Sequence, residues 1–547
     1  MSASVAVKRL RGSAGTLRRF VFRRSIRGSL MWAVIFGVYV LASAGGFASA
    51  YPTAQSREQL AVTFGNNVGL KVLVGEAHQL STVAGFTSWR ALGILSLVGS
   101  IWGLLLATKW FRGEETAGRT ELFLVGRTSA RAAATRIFTA FLSCLVIMFA
   151  VTASLIMVIG RSPKVNFSTG GSVFFALSLL AAPAIFLAVG ALTSQLVATR
   201  ARAAGIAAAL FGAFFVLRGI ADATASAHWL RTLTPLGWIE NLHPLTGPQP
   251  LWLLPLGLFA AALTGLTIWL AGKRDLGESL LRDRDTAKPR LMLLKTPLLA
   301  AVRLTRGVNV AWLAAIIIVA TGFSTIAKSA GTAFSESGAA QKYATKITAV
   351  SQATGVKVFL GIVFLMVMTL TMLYVAGALG SIRNDEAEGY LDNLLVRPVG
   401  RLQWLFGRIA IAVSVVVLMC MIAAVGSWAG AASQHASISF NAMMLAGVNA
   451  IAPAVLVFGI GLLCFGFVPR ATSIAVYVVV AWSFLMQMIG SLINLNHWLL
   501  DTAVFRHIAL APTTDPNWRI VGVYGAIGVA CALLGAWRFK RRDLETA

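Results

Sequence analysis

Two short stretches that share one pattern hold much of the chain's capacity for polar chemistry. They cover residues 112–125 and 383–396, and each reads as a basic residue, an acidic pair, a glycine and a further acid before an apolar run. Each stretch leaves one long apolar helix and enters another, so we expect two acidic platforms on which a partner docks. Together they contain seven of the twenty acidic residues: Glu114, Glu115, Glu121, Asp385, Glu386, Glu388 and Asp392.

The first acidic stretch (residues 112–125) also partly matches a phosphate-binding loop. Residues 113–120 fit the pattern G-x-x-x-x-G-K-S/T except that Arg119 replaces the lysine. Such a loop follows a buried strand and presents backbone N–H groups to anions, whereas this one follows an apolar helix and carries two glutamates. The second acidic stretch (residues 383–396) lacks the pattern. The sequence therefore predicts no nucleotide site here, and any ATPase would be a separate polypeptide.

The composition indicates a polytopic membrane protein. The mean hydropathy is +0.77, with 57% apolar and 12% charged residues. The net charge of +27 fits basic cytoplasmic loops better than nucleic-acid binding. The four cysteines lie in apolar spans, which argues against a disulfide framework. The six histidines show no metal-ligand spacing on one element, so we expect no metal site.

Apolar runs predict an all-α protein with twelve membrane-spanning helices. The distribution of lysine and arginine places both termini in the cytoplasm. Residues 1–29 predict an amphipathic helix in the membrane interface, followed by a retained first span rather than a signal peptide, and we expect a similar interfacial helix before the second half. The predicted spans are 30–50, 91–110, 137–160, 173–194, 204–221, 251–271, 308–328, 357–380, 408–432, 441–465, 474–493 and 520–537.

A six-helix unit is duplicated in tandem. The Ala-Pro-Ala around Pro183 recurs around Pro453, and the Arg-Asp-Leu that begins at Arg274 recurs at Arg542. An even number of helices makes both copies face the same way, so we predict parallel repeats related by a pseudo-two-fold axis along the membrane normal. The predicted division is residues 1–271 for the first unit, 272–297 for a cytoplasmic linker and 298–547 for the second unit.

Local signals predict a short helix inside each acidic stretch. Gly118 and Gly389 stand where a left-handed residue would end the preceding helix. Residues 120–125 and 391–396 can then form short helices with one apolar and one acidic side, and residues 128–129, Thr-Ser, can cap the next helix. Two such helices about a two-fold axis suit a two-fold symmetric cytosolic partner.

These features resemble a known group of transporters. The acidic pattern between helices 2 and 3 resembles the coupling loop of type-2 ATP-binding-cassette exporter permeases. More narrowly, the fused two-unit chain with residues 217–222 (Leu-Arg-Gly-Ile-Ala-Asp) and 233–238 (Leu-Thr-Pro-Leu-Gly-Trp) is similar to mycobacterial and other actinobacterial permeases for tetronasin-type antibiotic or multidrug export. The first of these two motifs has no charged counterpart in the second half.

The resemblance implies two ATP-binding-cassette ATPase subunits, forming a homodimer, on the cytoplasmic side. They would bind ATP and Mg, this chain would hold no cofactor, and closure of the subunits would swing its halves. The importer pattern Glu-Ala-Ala-x-x-x-Gly is not present in either acidic stretch, which favours export. The residues implied in ATPase coupling are Arg112, Glu114, Glu115, Gly118, Glu121, Arg383, Asp385, Glu386, Gly389 and Asp392.

Helical periodicity suggests a substrate pathway of aromatic and methionine side chains, which can repack around varied apolar molecules. Lipid-facing or interhelical packing is the alternative for each residue. Arg218 and Asp222, one turn apart, form either a structural pair near the outer interface or part of an extracellular gate. The candidate residues are Phe211, Phe214, Phe215, Arg218 and Asp222 in helix 5, Phe364, Met368 and Thr371 in helix 8, and Trp482, Leu485, Met486 and Ile489 in helix 11.

The sequence thus predicts a permease of the plasma membrane that exports hydrophobic or amphiphilic compounds, without catalytic residues. Export of an endogenous lipid or polyketide is one alternative. A proton-driven secondary transporter is another, although mid-membrane carboxylates for a proton relay are lacking. A membrane glycosyl- or acyltransferase would need an acid pair that the outer loops do not offer.

Overall fold

The computed structural model describes residues 2–65, 71–72, 74–124, 129–223, 225–274, 278–281, 296–328, 331, 355–396, 398–489 and 497–545. These residues form helices and connecting turns, with no strand among them. They include eleven helices long and apolar enough to cross a membrane. The chain forms two compact units, Met1–Ala287 and Lys288–Ala547. It is therefore an all-α integral membrane protein.

The first unit contains six long helices and several short ones. The long α3 continues without interruption through a π-helical turn at Lys109–Gly113 as far as Thr116. Short 3-10 helices at Ala225–Leu233 and Pro250–Trp252 flank α8. In chain order the helices are α1 (Ser2–Ala50), α2 (Ala54–Gly65), α3 (Val83–Thr108), α4 (Arg119–Leu124), α5 (Ala130–Gly160), α6 (Thr169–Leu196), α7 (Arg200–Ala223), α8 (Pro235–Glu240) and α9 (Leu253–Ala271).

The second unit is also built of long helices with short helices between them. A 3-10 turn at Pro469–Ala471 joins α14 to α15. The helices are α10 (Pro297–Ser324), α11 (Gly355–Ala387), α12 (Tyr390–Leu395), α13 (Arg401–Ala432), α14 (Phe440–Phe467), α15 (Thr472–Ile489), α16 (His497–Leu500), α17 (Val504–His507) and α18 (Trp518–Arg541).

Small residues allow the closest helix pairs to approach at backbone distance. In the first unit α3 packs along α6, where a methyl group on Gly190 would lie 2.7 Å from the carbonyl oxygen of Leu104. In the second unit α14 packs along α18, and a methyl group on Gly459 would overlap the carbonyl oxygen of Gly528. Close packing of this kind holds membrane helices together where the hydrophobic effect between them is weak. Each unit also has its own buried apolar core.

The start of each unit differs from the sequence expectation. α1 is one uninterrupted helix from Ser2 to Ala50, about 73 Å long, so the expected interfacial helix continues directly into the first span. The Ser29 hydroxyl bonds to the carbonyl of Ser25 within the helix, and Gly28 does not break it. In the second unit α10 is likewise continuous. At the eleventh predicted span, α15 ends at Ile489, and residues 490–493 lie outside the described part of the chain.

Candidate functional site

Left-handed glycines shape both acidic stretches, as predicted. Gly118 has φ of +69° and Gly389 has φ of +74°, values that cost a residue with a Cβ about 1–2 kcal/mol. Each glycine ends the long helix and is followed by a short one, α4 or α12. The Ser129 side chain accepts a bond from the N–H of Ala132 and caps α5, while Thr128 lies outside the described residues.

The second acid of the first stretch is clamped between two arginines. The Arg112 Nη1 atom lies 3.0 Å from Glu115 Oε1, and Arg274 donates to both Glu115 oxygens at 2.8 and 2.5 Å. Arg112 also donates to the carbonyls of Ala198 and Glu278. The carboxylate is largely buried. This Glu115 clamp therefore joins the end of α3 to the segment that follows α9.

The equivalent acid of the second stretch is held in the same way. Arg542 donates to the two oxygens of Glu386 at 2.5 and 2.8 Å, and Arg383 Nη1 lies 3.2 Å from Oε2. The backbone N–H of Glu545 adds a bond to Oε1 at 3.0 Å. The Glu386 side chain has no exposed surface. This Glu386 clamp joins the end of α11 to the segment that follows α18.

Ion pairing leaves fewer free acids than the sequence suggests. The first acid of each pair is also bound, with Glu114 2.6 Å from Arg119 and Asp385 2.5 Å from Arg408. The acids of the two stretches that remain exposed are Glu121, Glu388 and Asp392. These three carboxylates are the ones available to a partner.

Arg274 and Arg542 were not among the residues predicted for the site. The sequence did mark these two arginines, because the tripeptide Arg-Asp-Leu recurs at the end of both halves. The repeat pointed to duplication, but it did not show that each arginine returns to the acidic stretch of its own unit. The structure supplies that pairing over 159 and 156 residues of chain.

A second group of charges surrounds Arg218 in the first unit. Its Nε lies 3.6 Å from Asp222 Oδ2, the pair that the sequence predicted, and its Nη1 lies 3.0 Å from Glu240 Oε1. Arg231 contacts Asp222 at 2.6 Å and Glu76 at 2.7 Å. Together Glu76, Arg218, Asp222, Arg231 and Glu240 form the Arg218 cluster. It joins the end of α7 to α8 and to the segment before α3.

The Arg218 cluster has three carboxyl groups for two guanidinium groups, so one proton is favoured among the acids. Burial raises the pKa of Glu240 to about 8, against the lowering effect of Arg218. Burial also raises the pKa of Glu76, but Arg231 outweighs it and the net pKa is lowered. Glu240 is thus the carboxyl group that holds the proton near neutral pH.

Two histidines meet beside this cluster. The rings of His78 and His243 lie 4.2 Å apart between centroids. Burial lowers the pKa of His243 to about 4 and also lowers the pKa of His78. The spacing along the sequence could not show this contact. Within the described ranges no group of three or more metal-binding side chains occurs.

The predicted pathway residues have different surroundings. Phe211, Phe214 and Phe215 on α7 form a face that packs on α6, with the rings of Phe186 and Phe211 5.1 Å apart. The guanidinium carbon of Arg218 lies 4.9 Å from the Phe215 ring centroid. These contacts are interhelical packing within one unit.

The candidates on α11 and α15 also contact their own unit. Phe364, Met368 and Thr371 are fully buried in its core, and the Trp482 indole donates to Thr502 at 2.7 Å. Met486 is half-buried, while the side chains of residues 485 and 489 lie outside those described. A pathway role for these residues stays a prediction.

Comparison with known proteins defines the class of this permease. The profile of the family described as "Multidrug efflux system permease Rv1217c, C-terminal domain" matches residues 19–270 and 294–540. The chain belongs to this family of membrane permeases. It is 25% identical over 546 residues to the multidrug efflux system permease protein Rv1217c of Mycobacterium tuberculosis (strain ATCC 25618 / H37Rv). That alignment covers 98% of this chain and 95% of the relative.

Proposed function

We propose that this chain is the membrane-spanning permease subunit of an ATP-binding-cassette exporter. Two separate ATPase subunits, a homodimer that binds ATP and Mg, dock on the cytoplasmic acidic stretches. The permease moves hydrophobic or amphiphilic compounds, including antibiotics and drugs, out of the cytoplasm or the inner leaflet. It lies in the plasma membrane with both termini in the cytoplasm, and it has no cofactor or catalytic residue of its own.

The observation that carries this proposal is the clamp that occurs once in each unit. Glu115 and Glu386 are each held by one arginine a turn earlier in the same helix and by one from the segment after the last helix of the unit. Each acidic stretch is thus tied by ion pairs to the last segment of its unit. A force applied to such a stretch by a partner would move the whole unit rather than bend the stretch alone. Two clamps in tandem therefore suit two moving partner subunits.

The three exposed acids make the docking hypothesis testable without disturbing the clamps. We expect Glu121→Lys combined with Asp392→Lys to reduce the ATPase that copurifies with the permease by about tenfold or more, because like charges facing a basic partner cost several kcal/mol. Thermal unfolding should stay close to that of the wild type, because exposed substitutions usually change stability by less than about 0.5 kcal/mol.

Glu58→Lys combined with Asp515→Lys is the matched control. Both residues are exposed acids outside the acidic stretches, and the net charge changes equally. We expect this variant to retain its ATPase. Equal ATPase recovery from the two double variants would contradict docking on the acidic stretches.

Two other functions lead to different results on reconstitution. The relative is named a multidrug efflux permease, which favours foreign amphiphiles over an endogenous lipid or polyketide as cargo. A proton-driven transporter is supported by one observation, the buried Glu240 with its raised pKa of about 8. Cargo transport can be measured in liposomes that contain the permease with its ATPase and in liposomes that contain the permease alone. The comparison distinguishes ATP-driven from proton-driven transport. Cargo accumulation driven by a pH gradient without the ATPase would contradict the exporter proposal.

A further inference from the structure

A cavity of about 190 Å³ lies in the second unit between α10, α11 and α13, and is called the α10 pocket below. Its apolar wall includes Leu304, Val308 and Trp312. Leu304 is 75% and Val308 59% exposed, so the pocket opens at the side of a membrane helix, where apolar side chains meet lipid.

The α10 pocket lies close to the second acidic stretch. Tyr374 and Ser381 on α11 line it, and they precede Arg383 by nine and two residues. At 1.5 Å per residue the pocket extends about 14 Å from the acidic stretch, less than half of the roughly 30 Å hydrocarbon layer. In the orientation proposed above, this depth corresponds to the inner leaflet.

An arginine is the charged group of this pocket. Arg408 lines the pocket and is 6% exposed. Its Nη2 atom donates to Ser381 at 2.8 Å and to Asp385 at 2.5 Å. Its Nε–H is fully buried and closed to a ligand, so a ligand oxygen can bond only to the small exposed part of the guanidinium group.

The charge of the site selects the kind of oxygen. Asp385 already balances the positive charge of Arg408, so a carboxylate or phosphate would add an uncompensated negative charge to a poorly solvated site. An ester, amide or hydroxyl oxygen would not. Asn309 extends the polar wall, accepting from Tyr374 at 3.1 Å and donating to Thr305 at 3.1 Å.

The first unit fills the corresponding space with larger side chains. When the acidic stretches are aligned on Arg112 and Arg383, Ser381 corresponds to Trp110 and Gly377 to Leu106. Trp110 is buried and its ring centroid lies 5.8 Å from that of Phe20. The small residues of the second unit are therefore the ones that leave room for a ligand.

We infer that the α10 pocket binds an uncharged amphiphile from the inner leaflet. A carbonyl or hydroxyl oxygen accepts from Arg408, and the apolar body lies along Leu304, Val308 and Trp312. Such a molecule is either export cargo or a resident membrane lipid, and we assign it as cargo. That assignment rests on the proposed exporter function, whereas binding to the pocket does not.

The first test measures binding to the permease alone in nanodiscs, by photo-crosslinking of a monoacylglycerol with a diazirine in its acyl chain. Gly377 lines the pocket and faces open space, so Gly377→Leu should fill the site without a clash and lower labelling of α10 about tenfold. Gly522 on α18 also faces open space, and Gly522→Leu is the matched control. Equal labelling of the two variants would overturn the site.

The second test changes the charge of the site. In the wild type, a fatty acid with the same diazirine chain should label α10 at least about fivefold less than the monoacylglycerol does. Asp385→Asn removes the negative charge beside Arg408, so in this variant the fatty acid should label α10 more strongly than the monoacylglycerol. Arg408→Lys keeps the charge but removes the planar guanidinium group and its donors, so monoacylglycerol labelling should fall with the fatty acid still disfavoured. Stronger fatty-acid labelling in the wild type would overturn the selection of uncharged ligands.

The third test separates cargo from lipid. Competition by excess phosphatidylethanolamine or phosphatidylglycerol would identify a resident lipid site and overturn the cargo assignment. ATP-driven movement of the monoacylglycerol in proteoliposomes with the ATPase, reduced by Gly377→Leu but not by Gly522→Leu, would support it. Absence of ATP-driven transport in the wild type, with labelling intact, would count against the exporter proposal and leave the binding site standing.

Discussion

The Glu386 clamp makes a quantitative prediction about the second unit. Arg542→Gln removes two hydrogen bonds, at 2.5 and 2.8 Å, from a carboxylate with no exposed surface. Arg383 at 3.2 Å and the backbone N–H of Glu545 remain, so the charge is only partly compensated. Removing one partner of a buried pair typically costs about 3–5 kcal/mol. We expect a loss near the lower end, about 3 kcal/mol.

A nearby surface pair provides the control for this measurement. Arg470 lies 3.4 Å from Glu545, but their side chains are 79% and 42% exposed, and exposed pairs are worth about 0–1 kcal/mol. For a unit of this size, 3 kcal/mol lowers the melting temperature by about 6–12 °C. Scanning fluorimetry of the full chain should show this shift for Arg542→Gln and almost none for Arg470→Gln. Similar shifts for both variants would refute a stabilising clamp.

Two further predictions concern protonation and packing. Between pH 6.5 and 8 the folded chain keeps a proton on Glu240, which the unfolded chain has released, so stability should fall by up to about 1.4 kcal/mol per pH unit. His78 and His243 have lowered pKa values and act in the opposite direction below pH 6.5. The contribution of Glu240 falls from its ordinary pKa of 4.5 up to about 8, so Glu240→Gln should flatten the dependence of the melting temperature on pH between 6.5 and 8 and add a positive slope between 4.5 and 6.5. Gly459→Leu should disrupt the contact of α14 with α18, because its side chain would meet the backbone of Gly528; we expect a loss of about 3 kcal/mol or more, seen as a lower melting temperature or yield than for Gly522→Leu.

Local features of this fold were predictable from the sequence. The long apolar runs required helices in a membrane protein, because backbone groups must be satisfied within each segment. Gly118 and Gly389 were identified as left-handed residues from their place after a helix and before an apolar turn, and both have that conformation. Ser129 was identified as a helix cap for the same kind of reason.

Contacts between distant segments could not be predicted. The pattern of acids in each stretch gave no information about burial, because burial of Glu115 depends on Arg274 and burial of Glu386 on Arg542. The contact of His78 with His243 likewise joins segments on either side of four long helices. Spacing along one element describes neighbours on that element, whereas these sites are made by pairing between elements.

The two units keep the same clamp but differ elsewhere, and this difference bears on mechanism. The clamps require the same residue types in both copies, as expected if both acidic stretches receive the same push from identical partner subunits. The motif at residues 217–222, which includes Arg218 and Asp222, has no charged counterpart in the second half, and Ser381 and Gly377 leave the α10 pocket open where Trp110 and Leu106 stand in the first half. Identical partner subunits can therefore move two units that differ in the ligands and charged groups they hold. In the exporter that we propose, the second unit would take up cargo from the inner leaflet, while the first would hold its outer segments together through a proton-dependent network of ion pairs.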